Sequence, residues 1–447
     1  MTPAGADLTR EVLEKEEDGR LAPCAQRCSG ARRTYPLERE GRLFDYRTEF
    51  QRDRDRILHS RAFRRLRLKS DGGAFPPTER RRDRLTHTLE VSQLSRTVAR
   101  ALDLNEDLVE AIALGHELGM PPFGRAGEAA LASLLAESGG FRYNEQSLRV
   151  VDRIEKRYAH DGLNLTDRAR EGILKHATYR GTPPGDAVAA PIGLESLHPE
   201  WAPFFEAQVV ALVDDVAGAV GELDDGLRSC ELELARVESL PIVRELLRRI
   251  DMDAGRRQGP ARRPGKGGLL LRASAINRGL THMMIASIIH QSRRALKAWM
   301  KERRVSSPET FLAARPQIRP GTIGLTPPVA KLHDATRAFL ARSLHQGAWP
   351  SAVAVRARNL LGGLFRTLTA DPRLADDYVL LRFKEEAGGS YLRDVNPGDL
   401  ESEIEQRYRG NPRFARLVAD HIAGMTDMFA VAEHERLVGP VPAGAAR

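Results

Sequence analysis

The chain has 447 residues, with 69 Lys and Arg against 61 Asp and Glu, a formal net charge of +8 and only 6% aromatic residues. That length can hold one large core or two or three domains. Ala, Leu, Arg and Glu recur while alternating runs of Val, Ile, Thr and Tyr are scarce, which points to an all-α protein. No apolar stretch reaches the roughly 18 uncharged residues that a membrane span needs, and the polar start MTPAGADLTREVLEKEEDGR does not read as a secretory signal. Three scattered cysteines, Cys24, Cys28 and Cys230, exclude a disulfide framework, and the first two lack the second pair of a zinc site. A cytoplasmic protein with reduced thiols fits these features. The basic balance suits polyanionic partners such as nucleotides or single-stranded nucleic acid, although a solvated arginine-rich surface accounts for it equally.

Residues 1 to about 40 read as a partly ordered arm. From 41 to 69, dense charge alternates with Phe50, Ile57, Leu58, Phe63 and Leu66 at roughly helical spacing. A loop rich in Gly and Pro, about Ser70 to Thr78, precedes the basic cluster Arg80, Arg81, Arg82 and Arg84. A helix is expected from about His87 to Leu102, with Leu89, Val91, Leu94 and Val98 on its apolar side. The turn DLNE leads into a second helix, whose Leu108, Val109, Ile112, Ala113 and Leu114 precede His116. So short a connection makes the two helices antiparallel neighbours. His87 opens one and His116 closes the other, so both lie at the same end of the hairpin, with Glu117 beside them. That is a plausible metal corner. Between about Pro203 and Leu223, Asp214 and Asp215 interrupt an apolar stripe of Val209, Val210, Val213 and Val216. At least one carboxylate faces inward, where a lone charge requires a cation or a partner. About Ala254 to Gly268 reads as a flexible basic loop. Helical patterns resume over about Leu269–Arg303, Ala330–Leu344, Ala352–Thr369 and Asp399–Ala432.

The segments FQRDRDRILHSRAFRRL, RLTHTLEVSQLSRTVARAL and LVEAIALGHELGMPPFGRAGE, followed by NEQSLRVV, DGLNLT, AQVVALVDD and VADHIAGMTDMFAVAEH, stand in a specific order and spacing. From about residue 13 to residue 437 the chain resembles the HD-domain deoxynucleoside-triphosphate triphosphohydrolases. The resemblance implies an HD-domain helical core at 41–230, and a helical C-terminal region at 231–447 that completes the pocket and the contacts of a homo-oligomer. It implies hydrolysis of a dNTP to deoxynucleoside and inorganic triphosphate beside a divalent metal, Mn²⁺, Mg²⁺ or Fe. Carried over, His87, His116 and Asp214 are ligands, the motif register choosing Asp214 over Asp215, which is left to the substrate side. Arg84 falls at a phosphate-contacting arginine. Glu117 stands where the family has Asp, one methylene or roughly 1.5 Å longer, against metal–oxygen distances held near roughly 2.0–2.2 Å. It either reaches the metal or pairs with Arg84 or Arg125.

The departures fall at the pocket. HELGMPPFGRAGE replaces the family's HDLGHPPFGHAGE, so Met120 and Arg125 stand for two histidines. The resemblance makes the second of those an acid–base residue, and arginine cannot shuttle a proton at neutral pH. Glu128, its partner, remains. Tyr143 replaces another active-site histidine, Asp71 a sugar-contacting Gln, Gly218 a Tyr lining the nucleotide pocket, and Glu222 an Asp near the sugar. Two expectations follow. One is a metal-dependent dNTP hydrolase with reduced or altered turnover. The other is a degenerate nucleotide- or nucleic-acid-binding regulator of an active paralogue.

Overall fold

The expected hairpin forms because both of its helices are capped and one is nearly all apolar. In a computed structural model, which describes residues 9–36, 45–70, 81–178, 197–256, 268–346 and 348–440, the Asp83 side chain accepts from Thr86 N at 2.7 Å and that of Asn105 from Leu108 N at 2.9 Å. Asp103 takes the left-handed turn between them at φ 56°, a conformation Asp tolerates better than most residues.

The described helices, in chain order, are α1 (Arg10–Asp18), α2 (Glu49–Leu58), α3 (Arg61–Arg65), α4 (Arg84–Ala101), α5 (Glu106–Gly115), α6 (Gly124–Leu134), α7 (Tyr143–Arg149), α8 (Asp167–Thr178), α9 (Phe205–Arg228) and α10 (Leu234–Glu238). There follow α11 (Pro241–Arg256), α12 (Gly268–Arg303), α13 (Pro308–Ala314), α14 (Pro327–Leu340), α15 (Ala348–Ala370), α16 (Asp377–Ala387), α17 (Leu400–Glu403), α18 (Pro412–Ala423) and α19 (Asp427–Leu437). Among the described residues there is no strand, only two isolated bridges, Ser70 with Asp83 and Lys156 with Gly162. The fold is all-α, as expected. No described helix is long and apolar enough to cross a membrane.

Several boundaries differ from the sequence reading. The helical pattern of 41–69 splits into α2 and α3 because Ser60 caps a new helix, accepting from Phe63 N at 3.1 Å. The single helix expected over 399–432 is three. Gly410 turns left-handed at φ 68°, Asn411 caps α18 and Pro412 starts it. The described part of the arm is packed rather than loose, since Cys24 and Cys28 lie in the main core and Gln26 N donates to the buried Glu206 carboxylate at 2.8 Å. Both thiols are free, and burial pushes Cys24 up to about 12, so it stays protonated. Residues 71–80, which hold the Gly- and Pro-rich loop, Asp71 and Arg80, lie outside the described residues, as do 257–267 of the expected basic loop.

The core comes in two clusters. The first joins Phe50, Val91, Ile112, Ile173, Val213 and Ile288, and so unites α2, α4, α5, α8, α9 and α12. The second joins Leu131 of α6 to Leu361, Phe383, Phe414 and Val418 of the C-terminal helices. Position 230, where the domain boundary was expected, falls inside the stretch serving the first cluster, and α6 belongs to the second. Two glycines bring the elements of the site together. A Cβ on Gly115 would lie 2.5 Å from Ile173 Cδ1, and one on Gly119 would lie 2.1 Å from Ser147 N. At these points α8 and α7 press against the end of the hairpin.

Gly119→Ala is therefore expected to destabilise the protein by roughly 1–3 kcal/mol or more, because backbone must move. Gly218→Ala, whose Cβ meets nothing within 4 Å in mid-helix, should stabilise by roughly 0.5–1 kcal/mol. Urea denaturation of both variants measures the contrast, and equal effects would contradict the packing described.

Candidate metal centre

His87 enters from the first turn of α4, His116 from the end of α5 and Asp214 from the middle of α9. His87 Nε2 lies 2.8 Å from Asp214 Oδ1 and His116 Nε2 lies 3.5 Å from the same oxygen. The two imidazole centres are 6.4 Å apart. Both histidines are buried, while the Asp214 side chain keeps 25% of its surface exposed.

The proton on His116 can be placed by chemistry. Nδ1 faces the Ala113 carbonyl, which only accepts, so Nδ1 carries hydrogen. Nε2 is buried without a hydrogen-bond partner and looks at a carboxylate oxygen. A lone pair facing an anion in low dielectric is unstable unless a cation lies between them. A proton can serve: burial disfavours the imidazolium, but Asp214 overcomes that and raises His116 from its ordinary value. Burial likewise opposes the Asp214 charge, and the two imidazoles, His87 through its hydrogen bond and His116 across 3.5 Å, hold its carboxyl well below the usual range. A divalent metal serves better, because a ring whose other N–H is fixed on a backbone carbonyl presents a ready ligand.

Glu117 completes the corner. One carboxylate oxygen pairs with Arg84 Nη1, while the other, Oε2, is buried without a hydrogen-bond partner. Ligand atoms of His87, His116 and Glu117 lie within 4.8 Å of one another, as do those of His116, His176 and Asp214. Two ligands on opposite sides of one ion stand roughly 4.2 Å apart at bond lengths of roughly 2.1 Å. The donor set, imidazole plus carboxylate, therefore fits a divalent cation with little adjustment. Of the alternatives the sequence left open, the pair with Arg84 is formed, and the second oxygen of Glu117 has no hydrogen-bond partner among the described residues.

The remaining sequence candidates take varied places. Asp215, next to Asp214 on α9, turns the other way, to His333 Nε2 at 2.8 Å and Arg337 Nη1 at 3.2 Å on α14. Glu128 accepts from Tyr143 N at 2.9 Å and so caps α7. Arg125 is exposed, its guanidinium 5.8 Å from the centre of the Tyr143 ring. Gly218 is half-buried beside open space and Glu222 half-buried one turn further along α9. Met120 is buried. Asp71 lies outside the described residues.

Three residues that sequence reasoning missed bear on the site. His176 of α8 stands edge-on to His116 with ring centres 5.0 Å apart. Its Nδ1 donates to Ile173 O, and Tyr143 donates its hydroxyl to Nε2 at 2.9 Å. Burial brings His176 down to about 4, so the ring is neutral, and burial pushes the Tyr143 phenol up. The signal was there: His176 continues the face of Ala169 and Ile173, both fully buried. The other two are Lys69 and Asp427, which tie the motif loop to the C-terminal helices. Asp427 accepts from Ser70 N at 2.9 Å and from Phe123 N at 3.0 Å, holding Phe123 in its left-handed conformation at φ 63°. Lys69 Nζ donates to Met120 O and, at 2.8 Å, to Ala423 O.

Residues 84–218 match the HD domain family, and residues 389–436 the phosphohydrolase-associated domain. An HD-type helical core carrying a His/His/Asp cluster defines the class. Relatives run nearly end to end. The deoxyguanosinetriphosphate triphosphohydrolase-like protein of Ralstonia nicotianae is 36% identical over 421 residues, 94% of this chain and 95% of its own. Those of Paracoccus denitrificans and Azoarcus sp. are 37% identical over 407 residues (89% and 95%) and 38% over 392 (88% and 90%). The chain belongs to the deoxyguanosinetriphosphate triphosphohydrolase-like family.

Burial pulls Lys69 down to about 7, whereas the unfolded chain keeps that proton to about pH 10.4. A neutral amine has two N–H groups for the two carbonyls. Between these values the unfolded state binds the extra proton, so Lys69 makes stability rise with pH. Urea unfolding at pH 7 and pH 9 should show wild type gaining on Lys69→Met at the higher pH; parallel behaviour would refute the neutral amine.

Proposed function

We propose that the protein hydrolyses a deoxynucleoside triphosphate to deoxynucleoside and inorganic triphosphate, with slow turnover. The observation that carries this reading is the convergence of His87, His116 and Asp214 on a point that requires a cation. His87, His116, Asp214 and Glu117 Oε2 would hold it. Mn²⁺, Mg²⁺ or Fe there supplies Lewis acidity toward a phosphoryl oxygen and a more acidic water. The name of the relatives, deoxyguanosinetriphosphate triphosphohydrolase-like protein, supports deoxyguanosine triphosphate as a substrate.

The chain's own residues bind and orient. Arg84, held by Glu117 on one side and by the Ser70 carbonyl at 3.2 Å on the other, presents a fixed guanidinium at the edge of the centre, suited to phosphate oxygens. Asp215, Gly218 and Glu222 follow on the helix that carries Asp214, so the sugar and base would lie along α9. Gly218 leaves open the space where the resemblance expects a tyrosine, which lowers grip on the nucleoside.

Proton transfer is where this site is weak. Met120 has no proton to give, Arg125 keeps its own, and the Tyr143 phenol is pushed up and committed to His176. Glu128 is engaged at the α7 terminus. The second reading, a nucleotide- or nucleic-acid-binding regulator of an active paralogue, is favoured by the lack of a free proton shuttle among the described residues of the site. On either reading we take the protein to act in the cytoplasm as a homo-oligomer, with the 231–447 region completing the pocket through contacts such as His333 on Asp215.

Inorganic triphosphate released from dGTP under Mn²⁺ is the test. General acid–base groups are worth about 10²–10⁴-fold, so Arg125→His should raise kcat with little change in KM. Fast wild-type turnover that falls in Arg125→His would contradict the account. In a separate titration, Glu117→Asp should bind Mn²⁺ more tightly than wild type, since the shorter side chain fits the bond lengths; weaker binding would mean that the Arg84 pair, rather than the metal, sets this residue's place.

A further inference from the structure

The C-terminal end of α7 buries more positive charge than it neutralises. Arg149 and Arg416, each with 2% of its side chain exposed, share one carboxylate, that of Asp420 on α18. Arg149 Nε donates to Asp420 Oδ2 at 2.6 Å, while Oδ1 accepts from Arg416 Nε at 3.3 Å and from Gln146 Nε2 at 3.0 Å. Glu145 of α7 is buried as well, but it pairs with Arg142 at 3.3 Å. Three guanidinium groups thus stand against two carboxylates. Arg416 donates further to Gly140 O and Gln146 Oε1. Arg149 does not: Nη1 and Nη2 are both buried without a hydrogen-bond partner among the described residues.

The neighbouring elements add to the excess. Arg153 stands one turn beyond Arg149, and Arg382 of α16 donates to Arg153 O at 2.6 Å. Both side chains are half-buried, and neither makes an ion pair within 4 Å among the described residues. Burial opposes the Arg149 charge, and Asp420, with Glu386 of α16 at longer range, favours it. For Arg416, burial together with the charge of Arg149 outweighs Asp420 and pulls the guanidinium below its ordinary value.

Buried polar groups that lack a protein partner are met by an ordered water or an ion. Water satisfies an N–H group but brings no charge, and a buried cation without a counter-ion is costly. The excess of the buried group is one charge, which selects a monovalent anion. The Nη1–Nη2 edge of Arg149 offers it a forked donor.

We propose that Arg149 binds a small monovalent inorganic anion of the chloride class, buried between α7, α16 and α18. The anion lies on the Nη1–Nη2 edge, in the field of Arg416, Arg153 and Arg382. It pins the end of α7 to the segment matching the phosphohydrolase-associated domain. Tyr143, at the other end of α7, is six residues or roughly 9 Å away along the helix, so this site is separate from the metal centre and either can fail alone.

The test is thermal unfolding of the full-length protein, dialysed into gluconate, as chloride replaces gluconate at fixed ionic strength. Gluconate is too large for a buried site, and fixed ionic strength holds general screening constant. An anion that binds only the folded state stabilises it by mass action, so Tm should climb by roughly 2 °C or more and level off. Arg149→Met, which removes the excess charge, should abolish the climb, while Arg64→Ala, exposed on α3, should keep it. Anomalous diffraction from wild-type crystals soaked in bromide should place one ion against Arg149, which decides the matter even where Arg149→Met does not fold. A Tm indifferent to chloride would mean that water alone meets Arg149. That result, a climb that persists in Arg149→Met, or bromide found on the surface as an adventitious ion only would each overturn the proposal.

Discussion

Everything at the centre of this protein turns on one nitrogen. His116 Nε2 is buried, its ring is oriented by the Ala113 carbonyl, and it faces Asp214 Oδ1 across 3.5 Å. Neither group can leave, because each is fixed by a helix packed in the main core, and neither tolerates the other without positive charge between them. The hairpin, the two close-approach glycines and the neutral His176 behind the ring hold that conflict in place. His176 matters here as a spacer with fixed hydrogen bonds: since Tyr143 and Ile173 satisfy both of its nitrogens, it does not rotate to relieve His116.

The surroundings are built from distant parts of the chain. Lys69 and Ser70 follow α3, Met120 and Phe123 lie in the motif loop, and Ala423 and Asp427 lie at the C-terminus, yet five hydrogen bonds join them. The segment matching the phosphohydrolase-associated domain thus acts on the centre by fixing the loop that follows Glu117. Arg149 of α7 adds a second tie, to Asp420 of α18 at 2.6 Å. The shape of the corner consequently depends on described residues far apart in the chain.

The hairpin and the convergence of His87 with His116 were legible because periodicity and a four-residue turn determine them. Asp214 was legible as a carboxylate in an apolar stripe, but its choice over Asp215 rested on motif register; the geometry adds a physical reason, since His333 and Arg337 hold Asp215. Glu117 was read as ligand or salt bridge because sequence cannot show that Arg84 takes one carboxylate oxygen and leaves the other without a hydrogen-bond partner. The single helix expected near the C-terminus failed at Gly410–Asn411–Pro412, a stop-and-cap signal outweighed in that reading by the apolar spacing around it. His176, Lys69 and Asp427 were missed for a different reason. Their roles come from partners 33 to 357 residues away, which no local pattern encodes.

The claim beneath all of this is that His87, His116 and Asp214 share a cation, and its most direct measurement is Mn²⁺ binding followed by electron paramagnetic resonance. The account predicts one bound Mn²⁺ per chain, with hyperfine coupling to the nitrogens of two imidazoles, lost in Asp214→Ala. Wild-type protein that binds no more Mn²⁺ than Asp214→Ala, or that binds it without nitrogen coupling, would contradict it.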